Sequence, residues 1–214
     1  MRSTNTLSAR AEKSIYKNGL GGRISQYRHK QIIYSQGGTA NTIFCVREGG
    51  VLLTVRLKGR RTAAIAVVGA GDFFGHSCLA GGPLRRCTAT AIGSCSILII
   101  ERKEMIRTLR SDPVTSQMFV SYLLSVITKH QEHLVDLLVN STEQRLAHVL
   151  VELGQLSTNG GRIPKISQEV LANMVGTTRG RVNLYISRFR RRGFITCKEG
   201  ITVRGSLRAA YLLP

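Results

Sequence analysis

The alternation of apolar and polar positions changes character twice along the chain. From about residue 24 to 108, short runs rich in β-branched and aromatic residues are separated by glycine breaks. QIIY precedes QGG, TIFCV precedes REGG, VLLTVRL precedes KGRR, AAIAVV precedes GAG, FF precedes GH, and TATAIGSCSILII closes the series. Even spacing with turn residues between the runs predicts an all-β sandwich or roll. Residues 1–23 are polar, basic and glycine-ended, the pattern of a loose N-terminal arm.

At Asp112-Pro113 the period lengthens. Asp112 can cap free amides, and Pro113 suits a first helical position. No breaker follows through Asn140. One stripe holds Phe119, Leu123, Val126, His130, His133 and Leu137, and its neighbour holds Val120, Leu124, Ile127, Leu134 and Leu138. Two apolar stripes sustained over one helix need two partners, the β-domain on one side and a second copy of the chain on the other. Burial against its own domain alone is the plain alternative, but the helix outruns what a small roll can cover. Ser141 with Gln144 forms a capping box for a further helix, whose buried face is Leu146, Val149, Leu150 and Leu153. STNGGRIPKI then breaks that helix and supplies a short strand.

The segment SQEVLANMVGTTRGRVNLYISRFRRRGFI carries two short helical periods around a Gly-Thr-Thr. Ser167 caps the first helix, which runs through Val175. Gly176 permits the tight turn, and Thr178 caps the second helix, which ends before Gly193. Ala172, Gly176 and Val182 occupy the close-contact positions of a helix-turn-helix. FITCKEGITV adds two strand-like pieces around Lys198-Glu199-Gly200, a hairpin wing. On the second helix, Val182, Tyr185, Ile186 and Phe189 share the inward face. Gly180, Leu184, Ser187 and Arg191 lie opposite, with Asn183 and Arg190 to one side and Arg181 and Arg188 to the other.

Such a helix reads DNA in a definite way. Arg179, at the N-terminal tip, is placed for a bidentate contact to guanine. Gly180 removes bulk so that the backbone can approach the groove floor. Leu184 offers an apolar contact suited to a thymine methyl, and Asn183 is a candidate for adenine. Arg188 to Arg192 are placed for phosphates, which fix register without carrying sequence information. Net charge agrees: 31 basic against 12 acidic residues, +19 overall, calls for a polyanion such as nucleic acid or an anionic membrane surface.

Other chemistry is thin. The five cysteines (Cys45, Cys78, Cys87, Cys95 and Cys197) include no CxxC, which favours a reducing compartment over disulfides or a zinc finger. Cys45, Cys87 and Cys95 have the look of small buried hydrophobes. The first thirty residues hold no apolar h-region, and no run is long enough to span a bilayer, so a cytoplasmic location is expected. No nucleophile–base–orienter set or carboxylate pair emerges, so no catalysis and no metal are expected.

GDFFGH, RRCTATA, SQEVLANMVGTTRGRV and RFRRRGFI, in that order, resemble the cyclic-AMP receptor and fumarate–nitrate regulator (CRP/FNR) family over roughly residues 24 to 205. The resemblance implies an α+β chain: an N-terminal arm (1–23), a cyclic-nucleotide-binding-like β-roll that senses an effector (24–111), a central dimerisation helix (112–139) and a winged helix-turn-helix DNA-binding domain (140–214). It implies a homodimeric transcription regulator that reads palindromic DNA, with double-stranded DNA, a second copy of itself and RNA polymerase as partners, and with no membrane. Ser167 and Gln168 fall where the family contacts phosphate, and Thr178, Arg179, Gly180, Arg181, Asn183, Leu184 and Arg188 fall on the reading helix. Arg179 matches the family's first reading arginine, but Gly180 replaces its glutamate and Leu184 its second arginine.

The effector pocket departs further. Family members that bind cyclic AMP carry Gly-Glu, then Arg-Ser/Thr. Here Gly75 is kept, His76 replaces the glutamate, Arg85 aligns with the phosphate arginine, and Arg86 replaces the hydroxyl residue. Adenine-facing residues would fall near His130 and Gln131. These residues suit a small anionic effector, with cyclic nucleotide weak or absent. An iron–sulfur centre is excluded, because the first forty residues contain no cysteine. Haem-bearing members place Cys and His just after a similar turn, where this chain has His76-Ser77-Cys78 in reverse order. Two rivals differ in class. One is an effector-binding regulatory module whose basic charge is incidental, and failure of the winged domain to bind DNA would favour it. The other is a nonspecific binder of nucleic acid or membrane surface, which the charge supports weakly because it extends over the β-domain too.

Overall fold

The structure, a computed structural model, describes residues 22–57, 62–155, 161–198 and 200–211. Almost all of the expected N-terminal arm, and Glu199 at the expected wing tip, lie outside them. The chain divides into two compact units, one holding the residues up to Val55 together with Val68–Glu132, the other Arg56–Val67 together with His133 onward.

The first unit is built on an antiparallel sheet. Strand β1 (Arg23–Tyr27) pairs with β6 (Thr88–Glu101), which pairs with β3 (Thr42–Arg56); β4 (Thr62–Gly69) follows β3 in the chain and falls mostly among the residues of the other unit. Short β2 (Ile32–Tyr34) adds to β6, and β5 (Phe73–Phe74) adds to β3. The runs TIFCV and VLLTV, which Gly49-Gly50 splits in the sequence, form one strand. Their pairing with β6 runs from Thr42 opposite Glu101 to Thr54 opposite Thr88, with register shifts at Val46/Glu48 and Glu48/Gly50. The glycines therefore make a bulge instead of a turn. Gly49 has φ +86°, and a Cβ there would lie 2.4 Å from the Ser94 carbonyl oxygen.

Both faces of this sheet are covered, which is why TIFCV is continuously apolar. Ile43 and Cys45 face a cluster with Leu98, Ile100, Met105, Phe119 and Tyr122, while Phe44 and Val46 face Phe74, Ala89, Ala91 and Ile97. Met105 belongs to a helix the sequence pattern did not foretell. The all-β texture expected to about residue 108 ends at Glu101, and α1 (Arg102–Ser111) follows. Its apolar positions Met105, Ile106 and Leu109 step by one and three, a helical spacing that is too short to stand out beside the strands. A 3-10 turn (His76–Ala80) also interrupts the strands.

Asp112 caps the long helix α2 (Pro113–Val139) as expected, its carboxylate accepting from the Val114 amide at 3.1 Å. Phe119 and Tyr122 are buried and Leu123 and Val126 partly so, whereas Val120, Leu124, Ile127, Leu134 and Leu138 are exposed. The first half of one stripe thus packs in the roll, whereas His130, His133 and Leu137 at its far end are exposed, as is the whole of the other stripe.

In the second unit, α3 (Thr142–Gln155) starts at the capping box: Gln144 Oε1 accepts from the Ser141 amide at 2.9 Å, and the Gln144 amide donates to Ser141 Oγ at 3.4 Å. Helices α4 (Gln168–Val175) and α5 (Arg179–Arg191) follow, then β7 (Ile195–Thr196), β8 (Thr202–Val203) and α6 (Gly205–Tyr211). Their core gathers Leu146, Leu150, Leu153, Leu171, Ala172, Val175, Val182, Ile186, Phe189, Ile195 and Leu207. Of the strand expected after α3, the described residues show one bridge, Arg162 opposite Thr202, and residues 157–160 of that segment lie outside them.

Candidate effector pocket and nucleic-acid interface

In the first unit, the turn after β5 is held by two buried rings, Phe73 and Phe74. Gly75 follows at φ 73°, and a Cβ there would lie 2.6 Å from Arg85 Nη1. Only glycine lets that guanidinium sit against the turn. Arg85 is 4% exposed, its backbone fixed by an amide bond to the Gly38 carbonyl (2.8 Å) and a carbonyl bond from the Gly37 amide (2.9 Å). Its Nη1 donates to the Gly75 carbonyl at 3.1 Å and its Nη2 to Thr42 Oγ1 at 2.7 Å.

The rest of its surroundings is aromatic. The guanidinium carbon lies 4.4 Å from the Tyr34 ring centroid and 5.1 Å from that of Phe44, which stacks on Phe74 at 5.0 Å. Cation–π attraction suits arginine in such a cage. No carboxylate pairs with Arg85 among the described residues, and Nε has no hydrogen-bond partner. A buried guanidinium without a counter-charge is an attractive seat for an anion. The Tyr34 hydroxyl lies 3.6 Å from Cys87 Sγ, and burial pushes that phenol's pKa well up.

His76 is half-buried beside this cage, and its Nδ1 is buried without a partner. Burial lowers its pKa; a hydrogen bond with the Phe73 backbone works against that, and nearby His130 adds to it. His130 is itself exposed, one ring nitrogen 2.7 Å from the Val126 carbonyl oxygen. The structure therefore gathers Gly75, His76 and Arg85, brings His130 within electrostatic reach, and leaves Arg86 and Gln131 exposed. Tyr34, Thr42 and Phe44 were missed in the sequence, because they lie far from the motif in the chain and reach Arg85 only through β-pairing.

In the second unit, the Ser167 hydroxyl accepts from the Val170 amide at 3.2 Å and the Thr178 hydroxyl from the Arg181 amide at 3.4 Å. Gly176 turns the chain at φ 73°. Val182 and Phe189 are fully buried, Ile186 nearly so and Tyr185 half-buried, while Leu184 is 51% exposed. Arg179, Gly180, Arg181, Asn183 and Arg190 are exposed with it, and nothing lies within 4 Å of a Cβ built at Gly180. Gln168 Nε2 donates to Asn183 Oδ1 at 3.4 Å, which links the start of α4 to the exposed face of α5.

Arg188 departs from expectation. Its guanidinium engages Glu143 of α3, while its side chain remains 39% exposed. Arg192 donates to the Tyr211 hydroxyl at 3.2 Å. Arg145, also unforeseen, donates to the carbonyls of Leu137 (3.2 Å) in the last turn of α2, of Asn140 (3.1 Å) just beyond it, and of Val175 (3.1 Å) at the end of α4. Such capping of helix C-termini leaves no periodic trace in a sequence.

Residues 24–112 match the family described as "Cyclic nucleotide-binding domain", and residues 144–206 match the "Crp-like helix-turn-helix domain". The chain is 23% identical over 168 residues to a CRP-like cAMP-activated global transcriptional regulator of Mycobacterium tuberculosis, covering 76% of this chain and 75% of the relative. It is 23% identical over 174 residues to the cyclic AMP receptor protein of Thermus thermophilus, covering 81% and 80%. Among solved structures, FixK2 from Bradyrhizobium japonicum superposes with a TM-score of 0.78 at 23% identity, covering 91% of this chain and 98% of that one. The c-di-GMP responsive global regulator CLP of Xanthomonas campestris superposes with a TM-score of 0.71 at 16% identity, with the same coverage. No helix among the described residues is long and apolar enough to cross a membrane.

Proposed function

Because the chain belongs to the CRP/FNR family of DNA-binding transcription regulators, we propose that it binds palindromic DNA as a homodimer, with an effector site that departs from the cyclic-AMP pattern. The observation that carries this reading is the exposed face of α5, where Arg179, Gly180, Arg181, Asn183 and Leu184 stand free of the core while Val182 and Phe189 anchor the helix beneath them. Caps at Ser167 and Thr178 leave the start of each helix open to phosphate. The exposed stripe of α2 supports self-association, since a face of Leu and Ile of that length is a surface that a second copy would bury. For the effector, the aromatic cage and uncompensated guanidinium of Arg85 support a small anion, and His76 in place of a carboxylate argues against a ribose hydroxyl donor. No catalytic step is assigned. RNA polymerase is the expected partner if the regulator activates.

Selection of bound duplexes from a randomised pool tests the reading. An enriched inverted repeat, with half-sites about 34–36 Å apart, supports it. Binding without sequence enrichment would favour the nonspecific binder, and no binding would favour a regulatory module that acts without DNA.

A further inference from the structure

We propose that Glu143 is a positioning residue for the recognition helix: it fixes α5 against α3 and α6 and withholds Arg188 from DNA phosphates. This rests on the reading that α5 binds DNA.

Glu143 sits in the first turn of α3, and its side chain is only 17% exposed. Both carboxylate oxygens are engaged. Oε2 holds Arg188 Nη1 from α5, and Oε1 accepts the Tyr211 hydroxyl of α6 at 2.8 Å. That hydroxyl also accepts from Arg192 Nη1 at 3.2 Å. The Tyr211 ring packs edge-on to Phe189 with centroids 5.4 Å apart, and to Phe194 at 6.1 Å. Three helices therefore converge on one carboxylate, and the helix macrodipole favours a negative charge at the start of α3.

Most surface ion pairs contribute little, because water competes and two long side chains must be ordered. This one differs in three respects: the carboxylate is mostly buried, each oxygen has its own donor, and one donor is locked by ring packing. By contrast, no ion pair engages Arg179, Arg181, Arg190 or Arg191 among the described residues, and all four are exposed. The arginine-rich helix is thus divided. One set is free for DNA, and Arg188 belongs to the scaffold.

The division has a consequence for DNA binding. Each phosphate neutralised by a cation releases counterions and steepens the fall of log K with log salt by about 0.9. An Arg188 held by Glu143 contributes nothing to that slope. Holding it back lowers affinity for any DNA, whatever its sequence, and leaves discrimination to the groups that reach base edges.

The experiment uses the full chain and a fluorescent duplex of random sequence, titrated by anisotropy across a salt series. Arg188→Ala should leave the slope where the unsubstituted protein has it. Glu143→Gln, which keeps the shape and removes the charge, should free Arg188 and steepen the slope by about 0.9 per protomer, about 1.8 for the dimer, an extra loss of about 12-fold between 50 and 200 mM salt. Glu143→Gln combined with Arg188→Ala should return the slope to its starting value. A slope that flattens in Arg188→Ala overturns the proposal, because Arg188 would then already hold a phosphate. A slope unmoved by Glu143→Gln, with the fold intact by circular dichroism, overturns it too. If Glu143→Gln does not fold, Arg188→Ala alone decides. Failure of the unsubstituted chain to bind the duplex at all would instead sink the DNA-binding reading beneath it.

Discussion

The hydroxyl of Tyr122 donates to the carbonyl of Phe73 at 3.1 Å and accepts from the amide of the same residue at 2.8 Å. This pair of bonds fastens the middle of α2 to the turn that carries Gly75 and His76. Tyr122 is buried, and its ring also lies edge-on to Phe73 at 5.3 Å. The turn and the helix that presents the exposed apolar stripe are therefore held together through one buried side chain.

Tyr122→Phe keeps the ring packing and removes the hydroxyl. The buried Phe73 amide then loses its acceptor, which costs about 1–3 kcal/mol. The expected result is a lower denaturant midpoint at unchanged m-value. A midpoint equal to that of the unsubstituted protein would show that the two bonds carry no net stability.

Ile127 offers the sharper test of the dimer. It is 53% exposed on the free stripe of α2, whereas Leu123, on the neighbouring stripe, packs against the core of the first unit. A charge at Leu123 would confound dissociation with unfolding. Ile127→Lys should fold normally, run as a monomer by light scattering, and bind palindromic DNA weakly. A variant that stays dimeric would place the interface elsewhere.

Division of labour on α5 is expected between its tip and its far end. Arg179→Ala should lose about 1–3 kcal/mol on the selected site and relax preference at one base pair. Arg190→Ala should weaken all sequences alike and reduce the salt slope by about one. Equal losses for both variants on selected and scrambled DNA would refute the distinction.

Cyclic AMP should bind poorly. The Arg85 guanidinium already donates to Gly75 and Thr42 and is caged by Tyr34 and Phe44, so a cyclic phosphate must displace contacts already made. No carboxylate at residue 76 accepts from a ribose hydroxyl, a charge-assisted bond worth about 1.5–3 kcal/mol. Calorimetry should give an affinity far below that of a dedicated cyclic-AMP receptor. Submicromolar binding that switches DNA affinity on would overturn this.

What could be read in the sequence divides along physical lines. Elements set by local chemistry were legible: the caps at Ser167 and Thr178, the Ser141–Gln144 box, the inward face of α5 and the start of α2 at Asp112. Features set by distant partners were not. Gly49-Gly50 signals a turn locally, but β6 pairs with β3 on both sides of it and leaves a bulge. Met105 and Leu109 carry too few helical steps to mark α1 beside the strands. Arg188 has the period of an exposed face, and its contact with Glu143, 45 positions away in the chain, has no local signal. Within the pocket, Arg85 and Gly75 came from a motif, whereas the aromatic cage came from the fold.

His76 should give the first unit a stability that depends on pH. Burial lowers its pKa from the ordinary 6.5, and nearby His130 pushes the same way, against the bond with the Phe73 backbone. The folded state therefore holds His76 neutral at pH values where the unfolded chain has already protonated it. Stability from this residue is fully present above 6.5 and is lost as pH falls below that value toward the lowered folded pKa, because the unfolded chain binds the extra proton. Asp72 titrates the opposite way: burial raises its pKa above 3.8, so its contribution falls as pH rises from there. Denaturant midpoints at about pH 8 and about pH 5.5 bracket the ordinary 6.5 of His76, and the His76→Gln variant separates its part from that of Asp72. The unsubstituted protein should lose stability between the two, and His76→Gln, which cannot charge, should lose distinctly less. His130→Gln should keep most of the pH dependence, because His130 is exposed and acts on His76 only through space. Equal losses in the unsubstituted protein and His76→Gln would show that the acid sensitivity lies elsewhere in the chain.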